Sequence, residues 1–310
     1  MLLPRLPPCL LSSSLRAGLS ARARASSTSA NVWDVQPVEL GFDVHEPETR
    51  GPKSGCMVIC HGLLGSKANW RGLARRFARE LNMPVYTLDL RNHGRSPHAE
   101  PHTYPALAVD VAHFLAQHGL EDVNLLGHSM GGKTVMALAL NERLNRPLKT
   151  LISVDIAPTN GEIEPQYDGY LRGMKEVEAA RVPSRKEADK LMKPYEPDVG
   201  VRQFILTNAV MEHGHVCFRV GIDTLSSATK GLGTFPNHVT DGKPDATWGG
   251  PTLFVRGSRS DYVLDRDLQD ANKFFPNLQV VTLDAGHWVH AEKPQETGDA
   301  VIEFVRQNSL

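Results

Sequence analysis

Gly127-His128-Ser129-Met130-Gly131 places a serine between two glycines, at the end of the apolar run Val123–Leu126 and the start of a helical pattern. On a sharp strand-to-helix turn of this kind the hydroxyl stands clear of the backbone, where it can attack a carbonyl carbon and carry an acyl group. The turn is strained, and side chains at 127 and 131 would collide, so glycine is required at both. The Met130 N–H then lies at a helix N-terminus, where partial positive charge meets an oxyanion. The same chemistry needs a second oxyanion donor, a base and a carboxylate. The strand Met57–Cys60 runs into His61-Gly62-Leu63-Leu64-Gly65, which offers the Leu63 N–H. Near the C-terminus Val280–Leu283 leads into Asp284-Ala285-Gly286-His287-Trp288, and His287 is the expected base. Of the 13 histidines the others read as bystanders. His290 opens the last helix, His128 points away from Ser129, His61 shapes the oxyanion turn, and His93 and His98 border the pocket.

Three carboxylates could hold the base in its working tautomer. Asp155 ends the strand after the serine's helix, Asp261 follows the next sheet strand, and Asp223 lies in the intervening segment. Strand ends are rigid, which favours Asp155 and Asp261 over Asp223. Gly127–Thr134 also spells G-x-x-x-x-G-K-T, a phosphate-binding loop in which Lys133 would hold phosphates and Thr134 a Mg²⁺ ion. That reading needs neither an oxyanion turn nor a terminal histidine, and both are present, so acyl transfer is preferred over a nucleotide binder. The complete nucleophile, base and oxyanion set also argues against a degenerate fold that only binds a ligand or partner.

These residues must be positioned by a regular alternation of strands and helices. Val38–Val44 alternates apolar and polar residues, as a half-exposed antiparallel strand does. Strands are expected at Met57–Cys60, Pro84–Leu90, Val123–Gly127 and Leu148–Val154. Helices are expected around Trp70–Leu81, Tyr104–Gln117 and Met130–Arg143. This rhythm predicts an α/β fold with a mostly parallel central sheet flanked by helices. It stops at Pro158. Residues 158–247 read as several helices without a clear strand, one of them capped by Ser184 with Glu187 three residues on, and look like a helical lid. Alternation resumes with Thr252–Val255, a helix over Leu264–Phe275, the strand Leu278–Leu283 and a helix over Pro294–Gln307. The expected division is therefore 1–31 as a leader, 32–157 and 248–310 as the two parts of the core, and 158–247 as the lid.

Composition narrows the function classes. The 310 residues are 41% hydrophobic and 22% charged, with a net charge of −1, which argues against a nucleic-acid partner. No apolar run approaches the roughly 20 residues that span a bilayer. Cys56 and Cys60 lie on one face of a strand, too far apart for a disulfide at roughly 3.3 Å per residue, and read as reduced core thiols. No cysteine–histidine set has zinc spacing, and no cofactor is expected. Before Asp34 the chain holds Arg5, Arg16, Arg22 and Arg24, many serines and leucines and no acid, the composition of a mitochondrial transit peptide.

Taken in order, the motifs resemble a known family. His61–Lys67, Asp89-Leu90-Arg91-Asn92-His93-Gly94-Arg95-Ser96-Pro97-His98, Gly127–Thr134, Val154–Pro158, Val201–Asn208 and Gly286–Ala291 with Lys293-Pro294-Gln295 are similar to the mitochondrial α/β-hydrolase-domain-containing protein 11 group. That group includes bacterial esterases and yeast ethanol acetyltransferases. The resemblance extends from about Val32 to the end and makes Gly132-Lys133-Thr134 part of the family pattern. It implies an α/β-hydrolase fold, a Ser129–His287 pair, and an acid at Asp155, as in the bacterial and yeast members. A lid aspartate aligned with Asp223 is the alternative. It further implies a serine hydrolase or acyltransferase acting on a small-molecule ester or acyl thioester through an acyl-serine. Thr297 departs from the pattern, where an aromatic residue is expected, and bears on packing rather than chemistry.

Overall fold

The computed structural model describes residues 31–48, 55–144, 148–161 and 163–309; the expected leader lies outside these apart from Asn31. In chain order the elements begin with β1 (Phe42–His45), β2 (Cys56–Cys60), α1 (Arg71–Leu81), β3 (Val85–Leu88), α2 (Tyr104–Gln117), β4 (Val123–His128), α3 (Met130–Ala139) and β5 (Leu148–Val154). They continue with α4 (Gln166–Ala179), α5 (Arg185–Met192), α6 (Val199–Leu206), β6 (Ala209–Glu212), β7 (His215–Phe218), α7 (Ile222–Leu232), β8 (Val239–Thr240) and β9 (Lys243–Pro244). The last are β10 (Thr252–Gly257), α8 (Asp265–Phe274), β11 (Leu278–Leu283), α9 (Val289–Glu292) and α10 (Pro294–Gln307).

Seven strands form one sheet in the order β1-β3-β2-β4-β5-β10-β11. Only β1 is antiparallel, pairing Phe42 with Leu88 and His45 with Val85. The central strands are buried on both faces, and the period of two divides their side chains between two cores. Met57 and Ile59 of β2 join Leu126, Val154 and Val255 beneath α1 and α10, where Phe77 and Val301 are fully buried. Val58, Leu125, Leu151 and Phe254 point the other way, to Val111 and Phe114 of α2 and Val135 of α3. Each such side chain contributes about 1.5–3 kcal/mol by leaving water. The Cys56 and Cys60 thiols belong to this interior, and burial pushes both up to about 12.

Several details differ from the sequence reading: β1 covers Phe42–His45 rather than Val38–Val44, β3 covers Val85–Leu88 rather than Pro84–Leu90, and His290 lies in the short α9 ahead of the last helix. The helix after Ser129 ends at Ala139 rather than Arg143, with a short 3₁₀ turn over Glu142–Leu144. The segment between β5 and β10 holds four helices, as its periodicity suggests, but also two antiparallel strand pairs, the two-residue strands β8 and β9 and the hairpin of β6 and β7. The hairpin strands are four residues each and meet at His213-Gly214, both with positive φ. So short an alternation is masked by the helices on either side. The expected Ser184 cap is present, its side chain accepting from the Glu187 N–H.

The strand order reverses at β2, which has β3 on one side and β4 on the other. Loops leaving the carboxyl ends of these strands diverge there and open a crevice, the usual ligand position in an open parallel sheet. Ser129 follows β4, Leu63 follows β2, Asp155 follows β5 and His287 follows β11, so all converge on that edge.

Candidate active site

Ser129 has φ 52° and ψ −118°, a conformation that ordinary residues avoid and that needs strong support from its surroundings. Support comes from the Ser129 N–H, which donates to Val154 O at 3.0 Å, and from the Lys133 N–H, which donates to Ser129 O at 3.0 Å. The flanking glycines are required by close approach. A Cβ on Gly127 would stand 2.2 Å from Gly131 O, and one on Gly131 would stand 2.4 Å from Cys60 O.

His287 links Ser129 to a carboxylate. Its Nε2 lies 2.9 Å from Ser129 Oγ and its Nδ1 lies 2.8 Å from Asp155 Oδ2. A carboxylate only accepts, so Nδ1 carries the proton and Nε2 is free to accept from the serine hydroxyl. Both ring nitrogens are thereby occupied. Asp155 is buried and accepts three hydrogen bonds, from His287, from the Gly257 N–H at 2.8 Å and from the Ser260 hydroxyl. Of the other two candidate acids, Asp261 lines the outer cavity, and Asp223 has a side chain 95% exposed and paired with Lys175.

The ring is held in place from two further sides. Tyr262 stacks on it with centroids 4.0 Å apart. The His128 Nε2–H donates to the His287 carbonyl at 2.9 Å, so the residue before the serine fixes the loop that carries the histidine. Ser260 and Tyr262 were not legible as site residues, because β10 and its following loop carry no motif; only their position just after a strand end points to them.

The turn bearing Leu63 is fastened to the loop after β3. The Leu64 N–H donates to His93 Nε2 at 3.2 Å, and the Leu90 N–H donates to His61 Nε2 at 3.0 Å. Each of these rings donates through Nδ1 to a carbonyl, Gly62 for His61 and Arg91 for His93. Both must therefore be neutral, and burial lowers both below the ordinary histidine range. Asp89, also buried, accepts from the Lys67 N–H and ammonium and from the Arg95 N–H. His93 is thus a fastener rather than a pocket border, and His98 lies outside, its Nε2 3.2 Å from Arg219 O. Leu63 and Met130 face one cavity with Ser129, of about 350 Å³, whose apolar wall includes Ile156, Ile163 and Leu232.

Lys133 and Thr134 do not form a phosphate site. Lys133 is buried, and its ammonium donates to the carbonyls of Thr159, Gly233 and Thr234 at 2.8, 2.9 and 3.1 Å. Thr134 Oγ1 donates back to Met130 O inside α3. The three donors of the lysine are spent on the inserted segment, near its start and just after α7, which explains a G-K-T in this position without a nucleotide. Burial pushes the amine down to about 8, so it stays protonated at neutral pH. Thr297 is buried and its hydroxyl donates to Val289 O, a packing role. Among the described residues no group of three or more His, Cys, Asp or Glu could hold a metal ion.

Comparison with known proteins bears on the fold and the family. A family model for the alpha/beta hydrolase fold matches residues 55–294. The chain is 37% identical to the sn-1-specific diacylglycerol lipase ABHD11 of Mus musculus over 88% of its own length and 87% of the relative's. It is 31% identical to a probable alcohol acetyltransferase of Saccharomyces cerevisiae, over 88% of this chain and 84% of that one. Among solved structures a marine microorganism esterase is 31% identical, with a TM-score of 0.77 over 86% of this chain and 99% of the esterase. The chain therefore belongs to the α/β-hydrolase family, in the group that holds the ABHD11 lipases and the yeast alcohol acetyltransferases, and is an ester hydrolase or acyltransferase.

Proposed function

We propose that the chain transfers acyl groups through a covalent acyl-Ser129, with His287 as general base and acid and Asp155 as the carboxylate that orients it. The observation that carries this reading is the single imidazole bridging Ser129 Oγ and Asp155 Oδ2 at 2.9 and 2.8 Å. His287 Nε2 takes the hydroxyl proton as Oγ attacks the ester or thioester carbonyl. The oxyanion is received by the N–H groups of Leu63 and Met130, and His287 protonates the departing alcohol or thiol. The second half-reaction reverses these steps with water or an alcohol as acceptor.

A cavity of about 350 Å³ is at the small end of ligand pockets and favours a short to medium acyl chain. Residues 158–247 act in this reading as the lid that sets chain length, and residues 1–31 as a transit peptide directing the protein to mitochondria. Ser129→Ala should lower kcat about 10⁶-fold while the melting temperature stays near that of the native chain. The test is a series of p-nitrophenyl esters from acetyl to palmitoyl, run beside fluorophosphonate labelling. Near-native turnover in Ser129→Ala, or no labelling of well-folded protein, would refute the assignment. Fractionation of cells with N-terminal sequencing of the mature chain tests the location; a mature protein retaining Met1 counts against it.

A further inference from the structure

His287 is one of three imidazoles packed against one another. Its ring centroid lies 4.8 Å from that of His128, and the His290 ring lies 4.5 Å from His128 in turn. Positive rings at that range repel, so the cluster takes up a proton at one ring only. Burial and the neighbouring rings lower both His128 and His290 well below the ordinary histidine range. His287 differs from them in two ways. Its Nδ1 faces the Asp155 carboxylate at 2.8 Å, and one face of its ring is covered by Tyr262, with centroids 4.0 Å apart and planes 26° from parallel. Of the other charges on these loops, Arg259 pairs with both Asp284 and Glu292, and Asp261 lines the main cavity. Tyr262 comes from the loop after β10 and lines the main cavity, which His287 does not, so the phenol ring stands between the two. The phenol meets Glu164 and Tyr167, both from the inserted segment. Burial, then Tyr167 and Glu164, push it up, so it stays a neutral ring at working pH. The face of such a ring is negative and favours a cation laid against it.

We propose that Tyr262 is a positioning residue for the base: its ring face favours the imidazolium that forms when Ser129 gives its proton to His287, and Glu164 with Tyr167 holds that ring in place. The inference rests on the acyl-serine reading and makes the base depend on the inserted segment through one side chain. The stack acts only on the charged ring, so it lowers the barrier to proton transfer without tightening substrate binding. It also holds the pKa of His287 up against the burial that lowers its two neighbours.

The test places phenylalanine and its mono-, di- and trifluoro derivatives at position 262, which keeps the shape of the ring while draining its face of negative charge. Two quantities are followed against pH. One is the acylation rate, from the p-nitrophenol burst with p-nitrophenyl acetate. The other is the titration of His287 in the resting enzyme, by NMR of histidine-labelled protein assigned with His287→Gln. Tyr262→Phe should keep the native pH profile. Trifluorination should lower the pKa of His287 by about half a unit to one unit in both readouts, moving the rate profile to lower pH. It should also slow acylation at its plateau about 3- to 10-fold with KM unchanged. Tyr262→Leu should show the same fall in pKa. A ring that served packing alone would leave the pKa unmoved along the series, and that result overturns the proposal whatever the rates do. If Tyr262→Phe fails to fold, fluorotyrosines, which keep the hydroxyl, give the same series. Glu164→Gln tests the tether: it should slow acylation about twofold in the native chain and have no further effect in Tyr262→Phe. Additive losses overturn the tether. Failure to find an acetyl adduct on Ser129 by mass spectrometry would overturn the acyl-serine reading, while the NMR titration, which needs no turnover, still decides whether Tyr262 favours the charged ring.

Discussion

Asp155 occupies a left-handed backbone position, φ 50°, and its N–H donates to Val255 O at 2.9 Å, so the carboxylate is aimed by the sheet itself. Oδ1 is fixed by the Gly257 N–H, which leaves Oδ2 for Ser260 and His287. Replacing Asp155 by Asn keeps the shape but offers an N–H or a neutral oxygen to Nδ1, so the wrong tautomer is favoured. The expected outcome is a fall in kcat of up to ~10⁴-fold with little change in stability. Asp223→Asn, at an exposed position paired only with Lys175, should stay within about twofold of native activity. Steady-state kinetics on one ester separates the two; comparable losses in both variants would reject the assignment of the acid. At this scale the proposed nucleophile and base were legible from local motifs. The acid was not, since three aspartates follow plausible elements and only their distance from Nδ1 distinguishes them.

At the scale of elements, α3 does more than follow Ser129. The helix is buried from Met130 to Leu138, and Lys133 on its first turn ties it to the inserted segment at Thr159, near its start, and at Gly233–Thr234, just after α7. The Tyr104 hydroxyl adds a hydrogen bond to Leu232 O at 2.7 Å, and its ring lies 5.6 Å from the lysine ammonium. Lys133→Met fills similar volume but leaves carbonyls without their charged donor. It should destabilise the protein by about 3 kcal/mol and quicken proteolytic cleavage within residues 158–247. Urea denaturation and limited proteolysis measure the two effects; unchanged cleavage would show that the segment does not depend on this tether. The lysine itself was visible in the sequence, but as part of a phosphate-loop pattern. Its donors are directed to carbonyls about 26 and 100 residues away, a relation that no local spacing can express.

For the whole molecule, buried histidines link stability to acid. His102 and His290 are each lowered to about 3, chiefly by burial, while an unfolded chain titrates them near 6.5. Below that pH the unfolded state takes up protons that the folded state refuses, so stability present at neutral pH is lost as the pH falls from about 6.5 toward 3. Each group contributes ~1.4 kcal/mol per pH unit across that window, so the pair costs about 3 kcal/mol between pH 5.5 and 4.5. His61, His93 and His128 are lowered in the same direction and steepen the slope. Thermal melts in steps from pH 7 to 4.5 should show a midpoint falling ever faster below 6.5. A flat profile would mean that these rings accept protons within the fold.

The sequence alone determined the periodicities of two and 3.6 that lay down a parallel sheet between helices, and the glycine-flanked serine that any such sheet presents at a strand end. These are local properties, set by backbone sterics within a few residues. The inserted hairpin over Ala209–Phe218 escaped it, because strand pairing at four residues is decided by a partner rather than by pattern. Tertiary structure decided which aspartate meets His287, which histidines are fasteners and where Lys133 spends its protons. Each of those outcomes depends on loops from β2, β3, β4, β5, β10 and β11 arriving at one edge, where angstroms of separation govern hydrogen bonding and burial selects the neutral ring. Chain positions 129, 155 and 287 become neighbours only because the parallel order of the sheet brings its strand ends to the same side.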